Sequence, residues 1–101
     1  MVIKNKIIVV TGGGSGIGKA LVKKFCAEGA RAVVAADINA AAAQVTAAEF
    51  GAVAMSADVT KEDHVVRIIE ETETGIGPIN LYCNNAGVAA GASPLARTTG
   101  A

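Results

Sequence analysis

Ile7-Ile8-Val9-Val10 runs directly into Thr11-Gly12-Gly13-Gly14-Ser15-Gly16-Ile17-Gly18, and the reading of this stretch decides the fold. Four consecutive β-branched residues mark a strand buried on both faces. Such strands belong to parallel sheets covered by helices on each side. The glycines that follow let the backbone turn tightly and come close to a ligand. From Lys19 to Glu28 the pattern predicts a helix, with Ile17, Leu21 and Phe25 on one stripe and Lys19, Lys23 and Lys24 on the other side. Gly29 is placed to end it in a left-handed cap.

The same unit recurs downstream. Ala32–Ala36 reads as a second strand closed by Asp37, and Asn39 caps a helix from Ala40 to Phe50 that Gly51 stops. Ala52–Ala57 reads as a third strand closed by Asp58. Thr60, with Asp63 three residues on at the spacing of a capping box, predicts the start of a third helix. Val65, Val66, Ile68 and Ile69 supply its buried face, and Gly75-Ile76-Gly77-Pro78 breaks it. Ile79–Cys83 is a fourth strand, leading into Asn84-Asn85-Ala86-Gly87. From Val88 no period holds, so 88–101 is expected to be an irregular tail after one domain spanning 1–87. The order βαβαβαβ predicts an α/β protein with a doubly wound, open parallel sheet in three layers and right-handed crossovers.

Composition narrows the function. A chain of 101 residues holds one small domain. Hydrophobic residues make up 51%, which with a net charge of zero excludes a disordered chain. Nine basic side chains against nine acidic ones argue against a polybasic grip on nucleic acid or membrane. Cys26 and Cys83 lie outside any CxxC or Cys/His spacing, so neither a metal site nor a disulfide framework is expected. Two reduced thiols, no apolar run of membrane-spanning length and no leader-like start predict a cytoplasmic protein.

The chemistry is concentrated at strand ends. A helix N-terminus behind a glycine turn offers unpaired N–H groups and a partial positive charge, which suit a pyrophosphate. Gly13–Lys19 also fits the GxxxxGK frame of a triphosphate loop, but that motif needs Ser or Thr next and Ala20 stands there. A dinucleotide site instead calls for an acid about 20 residues after the glycines, and Asp37 lies 19 after Gly18. Its carboxylate can accept from both ribose hydroxyls and would repel a 2′-phosphate. Neither Ser15 nor Ile38 brings a cation to offset that repulsion, so NAD is expected over NADP. Asp58-Val59 can meet an adenine, or Asp58 can simply start a turn. Asn84 and Asn85 can tie strands together, while Ala86 and Gly87 leave room for a ribose; a plain turn is the alternative. His64 reads as part of a solvated helix face, and Ser93 has no base beside it.

Together these landmarks resemble the short-chain dehydrogenase/reductase family, over residues 3 to about 87. Gly12, Ser15, Gly16, Ile17 and Gly18 stand in what resembles its TGxxxGIG cofactor turn. Asp37, followed by Ile38, resembles its NAD-selecting acid, Asp58-Val59 its adenine contact, and Asn85-Ala86-Gly87 part of its NNAG element. The resemblance implies a Rossmann fold and NAD-linked interconversion of alcohols and ketones. It also implies a Tyr with a Lys four residues later. Here the one tyrosine, Tyr82, is followed at that distance by Ala86, so no catalytic residue is assigned. The chain is therefore expected to be the cofactor-binding front of a longer enzyme, with the C-terminal half missing. Strand 4 would then be an exposed edge open to self-association. The alternatives are a non-catalytic module that docks a partner through that edge, or an incomplete gene product.

Overall fold

The computed structural model describes residues 2–85. Its elements are β1 (Ile7–Thr11), α1 (Gly16–Ala27), β2 (Ala32–Asp37), α2 (Ala40–Phe50), β3 (Val53–Ser56), α3 (Glu62–Gly75) and β4 (Leu81–Cys83). All pairings are parallel, and the sheet order is β3-β2-β1-β4. The chain winds outward from β1 through β2 to β3, then crosses back to place β4 on β1's other side. β1 is therefore central, and Ile8, Val9 and Val10 have no exposed surface.

Alternation along β1 and β2 divides the core in two. Ile8, Val10, Val33 and Ala35 pack with Val22 and Phe25 of α1, joined at the margin by Phe50 of α2. Val9, Val34 and Ala36 face the other way and pack with Ala57 and Ile68 of α3. Helices on both faces make the three layers of a Rossmann-like α/β arrangement, as the sequence pattern predicts.

The glycine and asparagine signals behave as read. Gly29 and Gly51 take left-handed conformations, φ 86° and 77°, after α1 and α2. Asn39 Oδ1 accepts from the Ala42 N–H at 3.0 Å and caps α2.

Several boundaries and faces differ from the sequence reading. Helix α1 begins at Gly16 rather than Lys19, and its buried face is Gly18, Val22 and Phe25. Ile17 is off that stripe and 68% exposed. Thr60 does not open α3; Lys61 is its N-cap, without a side-chain cap bond. The Thr60 hydroxyl donates instead to Asp58 Oδ1 at 2.6 Å, so no capping box forms. On α3, Ile68 is fully buried with Thr72, whereas Val66 is exposed. Thr11 and Asp37 are the last residues of their strands rather than the first beyond them, and β3 is shorter than 52–57. The fourth strand begins at Leu81 rather than Ile79. Ahead of it, Asn80 binds Ile7 twice: Asn80 N–H donates to Ile7 O, and Asn80 Oδ1 accepts the Ile7 N–H, each at 2.8 Å.

Candidate cofactor site

The C-terminal ends of the strands converge where the winding reverses at β1, the place where open α/β sheets hold ligands. Between β1 and α1 the turn is built by glycines that cannot be replaced freely. Gly12 has φ 67°. A Cβ on Gly18 would stand 2.0 Å from Gly12 O and 2.8 Å from Asn85 Nδ2. The start of α1 therefore lies directly on the turn, and Asn85 beyond β4 lies against both. Gly16 (φ 56°) faces space with no heavy atom within 4 Å of where a Cβ would be.

The first backbone bond of α1 runs from Lys19 N–H to Ser15 O, and Ser15 makes no side-chain cap. The N–H groups of Gly16, Ile17 and Gly18 precede that bond and point off the helix end. With no acidic residue in the first turn, they remain suited to an anion. Lys19, the lysine of the rival triphosphate frame, is instead paired with Glu49 of α2 at 3.2 Å.

Asp37 is held in place by backbone donors. Gly14 N–H donates to Oδ2 and Asn39 N–H to Oδ1, each at 2.9 Å. Each oxygen keeps a further acceptor site, so a ribose hydroxyl can still be taken on. Gly14 makes this possible sterically: a Cβ there would meet Asp37 Oδ2 at 2.8 Å and Ala42 Cβ at 2.7 Å. The sequence reading noticed the glycine run but not this residue's hold on Asp37.

Gly12, Asp37, Ile38, Asp58, Val59 and Thr60 line a cavity of about 190 Å³, floored by Ala36 and Ala57. Pockets that hold a whole small molecule run to roughly 300–1,000 Å³, so this one suits a single end of a larger ligand. Asp58 lines the cavity, and its Oδ1 also accepts the Thr60 N–H at 3.0 Å and the Thr60 hydroxyl, forming a turn. The bonds from the Thr60 hydroxyl and N–H, the hydroxyl's first, hold the Asp58 carboxyl below the usual carboxylate range.

At the β4 end, Thr11 Oγ1 lies 3.1 Å from Asn84 Oδ1 and 3.3 Å from Cys83 O, sharing its one hydrogen between them. Asn84 thus ties β1 to β4. Ala86, Gly87, Ser93 and the expected tail lie outside the described residues. Tyr82 packs at the margin of the α3-side core, and burial pushes its hydroxyl up. His64 departs from its reading as a solvated side chain. It is half-buried, and its Nδ1 accepts the Asp58 N–H at 3.0 Å. No periodicity in the sequence signals that bond. Among the described residues no group of three or more His, Cys, Asp or Glu could hold a metal ion. Nor is any described helix long and apolar enough to cross a membrane.

Comparison with known proteins agrees with this geometry. A family model described as short chain dehydrogenase matches residues 6–100. An uncharacterized oxidoreductase, YuxG of Bacillus subtilis (strain 168), is 39% identical over 93% of this chain and 14% of its own length. The short-chain dehydrogenase anuF of Penicillium roqueforti is 42% identical over 83% of this chain and 34% of its own. Thus the chain spans 14% and 34% of the lengths of these two relatives. A solved structure described as ribose-5-phosphate isomerase from Brucella melitensis 16M matches with a TM-score of 0.76 and 32% identity. That match covers 80% of this chain and 31% of that one.

Proposed function

The chain belongs to the short-chain dehydrogenase family, and from that membership we propose that it forms the adenosine-side half of a nicotinamide-dinucleotide site. The whole protein, in this reading, is an oxidoreductase that interconverts alcohols and ketones by hydride transfer. When bound, the dinucleotide supplies the hydride donor or acceptor for that exchange.

One observation carries the reading: the Asp37 carboxylate stands on the wall of a cavity that also includes Gly12 and Asp58. The N–H groups at the start of α1 would hold the diphosphate, with Gly16 leaving room for it. Asp37 would accept the adenosine ribose hydroxyls, Val59 and Ile38 would flank the adenine, and Asp58 would accept from its amino group. Asn85, Ala86 and Gly87 would border the next part of the cofactor. Catalysis is assigned to none of the residues in this chain.

NAD is preferred over NADP in this reading. A 2′-phosphate would meet the Asp37 carboxylate, and the flanking Ile38 and Ser15 carry no charge. The nearby helix cation Lys19 is committed to Glu49. A cytoplasmic location is also proposed, on the free thiols of Cys26 and Cys83. Self-association of this chain is also proposed, through the outer edge of β4. Among the described strands β4 pairs with β1 alone, and unpaired edges recruit other strands. Light scattering that finds only monomer at high concentration would remove that part.

The test is a titration of NADH with the 101-residue chain, read by cofactor fluorescence anisotropy, with NADPH alongside. The chain has no Trp, so cofactor emission is nearly free of protein background. Saturable binding, tighter for NADH, is expected. No binding by a chain that circular dichroism shows to be folded would defeat the proposal.

A further inference from the structure

The cavity wall made by Asp58 and Val59 is the loop between β3 and α3, and two backbone bonds anchor it. Ala57 N–H donates to Asp37 O at 3.0 Å, which fastens the loop to the end of β2. Asp58 N–H donates to His64 Nδ1 at 3.0 Å, which fastens it to the first turn of α3. The Asp58 carboxylate does not contribute to this anchoring, because its Oδ1 is spent on Thr60 within the loop itself. The Arg67 side chain donates to Ser56 O, at the end of β3 just before the loop, and His64 is the side chain from α3 that holds the loop at Asp58 itself.

We propose that His64 is a positioning residue for the adenosine-side cavity, acting through the Asp58 backbone rather than by touching a ligand. The proposal rests on the cofactor reading given above. Nδ1 is the acceptor in this bond, so the neutral imidazole carries its proton on Nε2. Without that acceptor the partly buried Asp58 N–H has no partner, and the loop gains freedom to carry Asp58 and Val59 off the cavity wall. Asparagine is the informative substitute. Its Oδ1 lies as many bonds from the backbone as Nδ1 does, so it restores the acceptor without the ring.

The experiment compares wild type, His64→Ala and His64→Asn in the full 101-residue chain, with NADH as the probe. His64→Ala is expected to weaken NADH binding about three- to tenfold, the usual worth of one such bond, and His64→Asn to recover most of it. Equal affinity in wild type and His64→Ala overturns the proposal, as does His64→Asn behaving like His64→Ala. A second measurement needs no cofactor and no folded variant. Nitrogen NMR of wild-type His64 is expected to show Nδ1 unprotonated, and a protonated Nδ1 overturns the proposal. If wild type binds no NADH, the cofactor reading falls, and His64 is judged on the nitrogen NMR and on amide shifts. In His64→Asn these stay near wild type at Asp58, Val59 and Ile38, and shifts spread across all three overturn the positioning role.

Discussion

Gly18→Ala is the most demanding test of this architecture. The new Cβ would stand 2.0 Å from Gly12 O, and ordinary contact begins at 3.4 Å. Helix and turn would have to part by about 1.4 Å, and the obstructing atom is a backbone carbonyl, which cannot swing aside as a side-chain tip does. Overpacking of this kind costs about 1–3 kcal/mol, and a fixed backbone obstacle puts this case at the upper end. A domain of this size holds roughly 5–15 kcal/mol in total. Each kcal/mol moves the midpoint by about 4–8 °C, so a loss of about 2–3 kcal/mol lowers it by roughly 10–20 °C. Thermal melts followed by far-ultraviolet circular dichroism read this directly. Gly75→Ala is the matched control, because a Cβ at Gly75, the last residue of α3, meets nothing within 4 Å. It should raise the midpoint by the few degrees that follow from about 0.5 kcal/mol of helix propensity. A Gly18→Ala midpoint within about 3 °C of wild type would refute the close contact between α1 and the turn.

Other substitutions probe the site and the core separately. Asp37→Ala removes the acceptor for the Gly14 and Asn39 N–H groups. It should cost about 1–3 kcal/mol of stability and cut the advantage of NADH over NADPH; an unchanged preference would refute the role given to Asp37. Asp58 has a folded-state carboxyl held low, so its contribution to stability is present above the ordinary carboxylate value and lost as pH falls through the lower folded one. Urea midpoints of wild type and Asp58→Asn should therefore differ near neutrality and converge in acid, and a gap independent of pH would contradict this. Thr46 has a fully buried hydroxyl with no hydrogen-bond partner. Thr46→Val keeps the shape and removes that group, and should stabilise the chain by about 1 kcal/mol in a urea titration. A loss of stability would show that the hydroxyl is satisfied.

The sheet and the glycine turn were legible because their signals are local. Ile7–Val10 and Val33–Ala36 are apolar without a break because both faces are covered, and Gly29 and Gly51 stop helices because of their own backbone freedom. What escaped the sequence depends on partners distant in the chain or hidden from a hydropathy pattern. The hydropathy pattern puts Ile17 on the apolar stripe because it counts large apolar residues, whereas the position that packs is Gly18, which carries no hydropathy to count. Thr60 has the right type and spacing for a cap, but the Asp58 carboxylate two residues back competes for its hydroxyl and wins. The bond from Asp58 N–H to His64 forms only once β3 and α3 are both in place. Of the candidate site, the glycine turn, Asp37 and Asp58-Val59 were read from spacing, and they do meet around one cavity. The backbone donors that hold Asp37 were not readable, because they emerge from a turn geometry rather than a residue type.

The central position of β1 also sets an order in time. Ile7 meets Ala32 across 25 residues, but Ile8 meets Leu81 across 73. Closing the longer loop costs roughly 1 kcal/mol more in chain entropy, offset by three residue pairs of β4 and by the Asn80 and Asn84 bonds at its two ends. The β3-β2-β1 side can assemble from neighbours in sequence, with α1 and α2 folding over it as they are made. Of the four described strands, β1 is thus made first and, of the inner pair, is the last to have both edges covered. In the finished molecule the same asymmetry runs backwards: the seam between Ile8–Val10 and Leu81–Cys83 is the shortest of the three described, and among them amide exchange is expected to be fastest along it.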